Sequence, residues 1–203
     1  MLPYYLLIFI PFFIEILLIC WNRTETCILG KTKRNNTPLI AFFAIWCVML
    51  ALRDISCGVD LRNYDFYFFS VQKENISDIF NLHAIEQGYY LFGKIISEFT
   101  TDFQTYLAVV ALLCTGTLGF FYCKESDYPL LTILLFVTNA MFPMFYSGLR
   151  QSLAMLFVVP AYYFTREKKM FLFVLTVILA HFFHSSAVVL LFLYPVFHLP
   201  LRS

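Results

Sequence analysis

Charged residues punctuate this chain and leave long runs with almost none: 2–20 (broken only by Glu15), 39–52, 103–123, 128–149, 151–165 and 170–201. A straight α-helix needs roughly 20 apolar residues to cross about 30 Å of hydrocarbon. The runs 2–20, 103–123 and 128–149 have that length. The run 39–52 reaches only about 21 Å, so a helix built on it takes in Thr37 and Pro38 and brings Arg53 to the membrane boundary. The run 151–165 covers about 22 Å, which draws Arg150 toward headgroup level. At about 48 Å the stretch 170–201 is too long for one span and too short for two. His181, His184, Ser185 and Ser186 near its middle predict a break or tight turn there.

Within 85–99 a different pattern appears. Ile85, Tyr89, Phe92, Ile96 and Phe99 recur at steps of four and three, which predicts an amphipathic helix on the outer membrane surface or capping the bundle, with Tyr89 and Tyr90 at headgroup level. The fold expected is therefore all-α: a polytopic membrane helix bundle of six to seven transmembrane helices with this outer amphipathic helix. No internal repeat or linker divides it, so 1–203 reads as one integral membrane domain carrying the extracytoplasmic loop 53–102.

Composition sharpens this reading. Apolar residues make up 61% and charged residues 13%, against roughly 45–50% and about 25% in a soluble domain. A compact soluble domain of this size still exposes roughly 30% of its unfolded surface, too much for such a sequence to hide in water. Lipid must solvate most of the chain. A secreted miniprotein, a nucleic-acid binder and a disordered tail are excluded, and the net charge of +1 predicts no polyanionic partner. Cys20, Cys27, Cys47, Cys57, Cys114 and Cys123 form no C-x-x-C pair and read as small apolar residues. The first run lacks a basic leader and a small-residue cleavage site, so it reads as an anchor.

Charge placement supplies an orientation, because Lys and Arg in short loops favour the cytoplasm. Arg23, Lys31, Lys33 and Arg34 put the 21–38 connection inside and the N-terminus outside. The 53–102 loop then falls outside, Lys124 inside, Gly148–Gln151 outside, and Arg166, Lys168 and Lys169 inside, with Arg202 inside if 187–201 returns. This parity gathers Arg53, Asp60, Glu86, Arg150, Gln151, His181 and His184 on the outer face from four separate connections. An Arg at a helix end ordinarily snorkels, and acidic loop residues ordinarily face water. Arg150 is different: an ionisable group alone between two uncharged stretches is a functional-site candidate by default.

No phosphate-cradling glycine loop, G-x-S-x-G or H-E-x-x-H occurs. His181 and His184 share a helix face at i, i+3, but no nearby Cys or carboxylate completes a metal set, so neither a metal nor any other cofactor is expected. A polar pair lining a cavity and a proton-transfer or phosphate-contacting role both remain open for them.

The stretch Arg53-Asp-Ile-Ser-Cys-Gly58-Val-Asp60 with Tyr64, then Glu86-Gln-Gly88-Tyr89, Ser147-Gly-Leu-Arg150-Gln151-Ser152 and Phe183-His184-Ser185-Ser186 resembles, in order and spacing, the motifs of the EpsG-like exopolysaccharide polymerases, a Wzy-type group. The resemblance covers most of 50–190; Gln87 stands where that pattern has proline, and the chain looks like an N-terminal portion or a shortened member. It implies a membrane glycosyltransferase that polymerises oligosaccharide repeat units carried on undecaprenyl diphosphate, for exopolysaccharide, capsule or O-antigen, at the outer face of a bacterial plasma membrane. Lipid-linked oligosaccharides and the bilayer are the implied partners, with a chain-length regulator and a flippase beside them. Arg150 and Arg53 are then candidate contacts for the leaving diphosphate, since a guanidinium stays charged and offers a planar fork. His184 is the first candidate for the base that activates the acceptor hydroxyl, with Asp60 and Glu86 as alternatives. Gln151, His181 and Tyr64 complete the expected substrate-binding set. A polysaccharide flippase or transporter, a membrane acyltransferase, and an inactive fragment or subunit are the competing classes.

Overall fold

The computed structural model describes residues 7–14, 16–17, 36–82, 86–139 and 141–199, and every regular element among them is helical. Helical residues 7–14 and 16–17 form α1. There follow α2 (Thr37–Ala51), a 3₁₀ turn (Ile55–Cys57), α3 (Leu61–Lys73), α4 (Ile76–Leu82), α5 (Gln87–Ser97) and α6 (Phe103–Glu125). The second half holds α7 (Pro129–Thr138), α8 (Met141–Ser147), α9 (Leu149–Arg166), α10 (Met170–Phe183), a 3₁₀ helix (Ser185–Phe192) and α11 (Leu193–Phe197). The basic connection at 21–35, Ile85 and Arg202 lie outside the described residues.

Local chemistry sets the ends of these helices. Thr37 and Pro38 do open α2, where proline's missing N–H costs nothing, and Arg53 follows just beyond its last turn. At the start of α6 the Asp102 carboxylate accepts the Thr105 N–H at 2.8 Å, a side-chain N-cap. The apolar run 128–149, expected as one span, is divided. In a continuous helix the Pro143 ring would meet the carbonyl of Asn139, four residues back. Instead Asn139 turns to extended backbone, and its carbonyl accepts the Phe142 N–H at 3.1 Å to start α8.

Around these helices the core is aromatic. Trp46 of α2 is fully buried, with Phe136 of α7 at 5.0 Å and Phe142 and Phe145 of α8 at 5.5 and 5.1 Å between ring centres. Edge and stacked contacts of this kind add about 0.5–1.5 kcal/mol each beyond the area they bury. On the other side of α6, Tyr106 stacks on Phe68 of α3 at 4.7 Å. Thus α6 stands centrally against α2 and α9, α9 pairs with α10, and α5 is covered by α3 and α10. The helix expected within 85–99 is α5, with Tyr89 and Tyr90 buried against its neighbours, Ile95 exposed on its other side, and Phe99 beyond its end, exposed.

Among the described residues one helix, Phe103–Glu125, is long and apolar enough to cross a bilayer unaided; Thr37–Ala51, Pro129–Thr138, Met170–Phe183 and Ser185–Phe197 are apolar but shorter. The helical class is as expected, whereas six to seven full-length spans are not what these helix lengths give. Large apolar side chains such as Leu112, Phe120, Phe171, Ile178, Val188 and Phe192 remain exposed on the outer faces. Cys114 is buried and Cys47 half-buried, as the reading of cysteine as an apolar filler expects, whereas Cys57 is exposed.

The expected break near His181–Ser186 is present and shows how the chain returns. After Phe183 the backbone at His184 becomes extended (φ −150, ψ 121). The following 3₁₀ helix rises about 2 Å per residue, so 185–197 covers roughly the same length as α10. His198 Nε2–H then donates to the Thr165 carbonyl at 3.0 Å, at the far end of α9. That far end also holds the Arg166–Glu125 ion pair (2.9 Å), the Tyr163 hydroxyl on Glu125 (3.1 Å) and Asn36 Nδ2–H on the Cys123 carbonyl (2.9 Å).

Candidate functional site

At the opposite end of α9 three elements converge. Gly148 starts α9, placing Arg150 and Gln151 in its first turn; α10 ends by presenting His184 and Ser185; and Glu86 caps the start of α5. The approach of α5 to α10 requires Gly88, because a Cβ there would lie 2.5 Å from the Phe182 ring and 2.9 Å from its carbonyl oxygen. Glu86 itself adopts a left-handed backbone (φ 60, ψ 35). For a residue with a side chain this costs about 1–2 kcal/mol, and such strain is characteristic of functional sites.

The Glu86 carboxylate is the hub. Its Oε1 accepts from His184 Nδ1–H at 2.6 Å and from the Ser185 backbone N–H at 3.1 Å, with the Ser185 hydroxyl at 3.5 Å. Its Oε2 accepts from Arg150 Nη1–H. Burial by itself would raise the Glu86 pKa, but the Ser185 N–H, the Arg150 guanidinium and His184 together hold the carboxyl below its ordinary value. With Nδ1 donating to the carboxylate, the other nitrogen of the neutral His184 ring carries a lone pair, and Gln151 Nε2–H donates to it at 3.2 Å. The guanidinium of Arg150 lies over three tyrosine rings, 5.5 Å from the centre of Tyr64 and 5.8 Å from those of Tyr67 and Tyr89. This cage fixes the cation while leaving the side chain 29% exposed.

Of the residues singled out in the sequence, Glu86, Arg150, Gln151, His184 and Tyr64 therefore meet in one site. Three do not take their expected places. Arg53 is buried, and its Nη1–H donates to the Phe145 carbonyl at 3.0 Å, closing the end of α8 just before Gly148. Burial lowers its pKa to about 10, so it stays charged at neutral pH while bracing the turn from which Arg150 emerges. His181 is exposed, its Nδ1–H donating to the Ser185 carbonyl at 2.8 Å, so it stabilises the turn after α10. Asp60 caps α3 with its backbone carbonyl; its side chain is exposed and forms no hydrogen bond with the hub among the described residues. Conversely, Tyr67 and the backbone of Ser185 belong to the site, and neither was read from the sequence as a site group. A tyrosine amid many aromatics carries no distinguishing signal, and a backbone N–H carries none at all.

The arrangement pairs an anion, a partly exposed cation and an imidazole whose Nε2 lone pair is held by the Gln151 amide. It is a carboxylate-oriented base beside a guanidinium, suited to moving a proton next to developing negative charge. Among the described residues no group of three or more His, Cys, Asp or Glu side chains could hold a metal ion. In comparisons with known proteins, the family model described as EpsG family matches residues 36–202. No curated protein and no solved structure matches the chain.

Proposed function

The chain belongs to the EpsG family, and from that premise we propose that it is a membrane polysaccharide polymerase that transfers a growing glycan from a lipid diphosphate, undecaprenyl diphosphate, to a hydroxyl of the next lipid-linked repeat unit. The observation that carries this reading is the hub itself, where one carboxylate holds both a guanidinium and an imidazole at the common end of α9 and α10.

The chemistry assigns a role to each group. His184 Nε2 takes the proton of the acceptor hydroxyl as its oxygen bonds to the anomeric carbon. The bond from that carbon to the diphosphate breaks, and its electron pair leaves with the diphosphate. Glu86 keeps Nδ1 protonated and stabilises the imidazolium that forms, as a buried carboxylate does in other acid–base sites. Arg150 uses one N–H for Glu86 and turns the rest of its fork to the leaving diphosphate. Tyr64, Tyr67 and Tyr89 hold it there, and Gln151 orients the acceptor. The site end faces outward in this reading and the Glu125–Arg166 end faces the cytoplasm, so both substrates present their headgroups at the outer boundary without leaving the bilayer. A flippase would instead distribute polar groups through the membrane depth, whereas here the ion pairs gather at the two helix ends, with the carboxylate–guanidinium–imidazole hub at one of them.

Complementation of a strain lacking the gene tests the proposal. His184→Ala and Arg150→Ala are expected to abolish long-chain polysaccharide while the chain still accumulates in the membrane. Full-length polymer from both variants would overturn these roles. Lipid-linked single units displayed outside the deletion strain support a polymerase, and units retained inside support a flippase.

A further inference from the structure

His184 divides the site into two sides. Its Nδ1 is committed to Glu86, so only Nε2 can receive a proton, and Nε2 faces Gln151 and not Arg150. Both His184 and Gln151 line a cavity of about 250 Å³. Apart from Ser186 the rest of its wall is apolar, formed by Met144, Ala154, Met155, Val158, Ala187, Val189 and Leu190 from α8, α9 and the 3₁₀ helix. Gly148 makes the arrangement possible: a Cβ there would sit 2.9 Å from Gln151 Oε1 and push the amide away. In the resting structure the Gln151 amide occupies the lone pair that the reaction needs.

We propose that this cavity is the acceptor subsite, that the incoming sugar displaces the Gln151 amide from His184 Nε2, and that the apolar wall selects a ring with a methyl-bearing substituent, 6-deoxy or N-acetyl, beside the reacting hydroxyl. The inference rests on the polymerase reading and deepens it. Size supports one ring: at roughly 30 Å³ per water the cavity replaces about eight waters, enough for one sugar with a small substituent and too little for an oligosaccharide. Composition supports the substituent, because beyond His184, Gln151 and Ser186 the wall is Met, Val, Leu and Ala, and a hydroxyl buried against that part would go unpaired. Once displaced, the Gln151 amide can bond the acceptor oxygen or a neighbouring substituent. The transfer then balances as before: the acceptor O–H proton passes to Nε2, the oxygen bonds to the anomeric carbon, and the diphosphate departs with the electron pair.

The test uses the full chain in detergent with the lipid-linked repeat unit isolated from the host. Methyl glycosides of a 6-deoxyhexose, an N-acetylhexosamine and the matching unsubstituted hexose compete as soluble acceptors, while polymer and released lipid diphosphate are measured together. The two methyl-bearing glycosides are expected to suppress polymer length at concentrations about tenfold lower than the plain hexoside, the scale of one methyl in an apolar pocket. Val158→Phe and Ala187→Leu, which narrow the cavity from different elements, are expected to erase that preference. Equal potency of all three glycosides with the unaltered chain, or a preference that survives in both narrowed variants when these are monodisperse, overturns the subsite. Release of lipid diphosphate with no discrimination sinks this inference alone. No release and no polymer sinks the polymerase reading and the subsite with it.

Discussion

Glu86 concentrates several demands on one side chain: it neutralises Arg150, fixes the tautomer of His184, satisfies the Ser185 N–H and tolerates a left-handed backbone. Glu86→Gln keeps the shape and removes the charge, leaving the caged guanidinium without its counter-ion. Loss of about 1–3 kcal/mol of stability is expected, the cost of a poorly satisfied buried group, together with at least a hundredfold loss of polymer formation. Thermal unfolding in detergent and polymer yield measure the two effects. The acid behaviour of the site follows from the same residue. Because the folded state lowers the pKa of Glu86, its stabilising contribution is complete above the ordinary carboxylate value of about 4.3 and is lost as pH falls through the lower, folded value. Stability of the unaltered chain should therefore fall below about pH 4, and the fall should be shallower in Glu86→Gln; identical acid limbs for the two would refute the coupling. Glu86 was legible in the sequence as an acidic residue between apolar segments. Its place as hub was not, because its partners lie 64 and 98 residues away.

Elements position that hub, and their packing is open to test. Gly88→Ala places a methyl group against the Phe182 ring and backbone, so α5 must withdraw from α10 and carry Glu86 away from His184. A cost of about 1–3 kcal/mol is expected, the usual range for overpacking, with polymer formation falling more steeply than the yield of folded protein. Equal losses of both would show that the contact serves packing alone. Arg53→Ala frees the Phe145 carbonyl at the end of α8 and should lower activity through the Gly148–Arg150 turn, so Arg53→Lys, which can still donate there, restores part of it. Helix positions were readable wherever the pattern was simple: 103–123 and 151–165 fall inside α6 and α9, and Thr37 and Pro38 open α2. The run 128–149 misled because hydropathy does not register backbone clashes, while Pro143 against Asn139 does. The 53–102 segment holds more structure than its pattern shows. A periodic stripe at 85–99 predicts a helix but cannot say that two further helices and a turn precede it and that α3 and α10 cover it.

Over the whole molecule, two chemically distinct ends are built from helices that run between them: Glu86, Arg150, Gln151 and His184 at one, Glu125, Tyr163, Arg166 and His198 at the other. If the first end faces outward, Asp60→Cys in intact cells should react with an impermeant maleimide, and Lys168→Cys should react only after permeabilisation. Labelling of both from the same side would refute the two-sided reading. Hydropathy and charge clustering place these charged groups outside the long apolar runs, as expected where an apolar surrounding penalises a charge. The sequence by itself determined the helical class and the break after α10, and offered Glu86, Arg150, Gln151 and His184 among its candidates. Only the tertiary structure decided which of them touch. Side-chain contacts between segments tens of residues apart depend on how closely helices approach and at what rotation. Those quantities are set by groups such as Gly88, Pro143 and the rings around Trp46, and no local pattern encodes them.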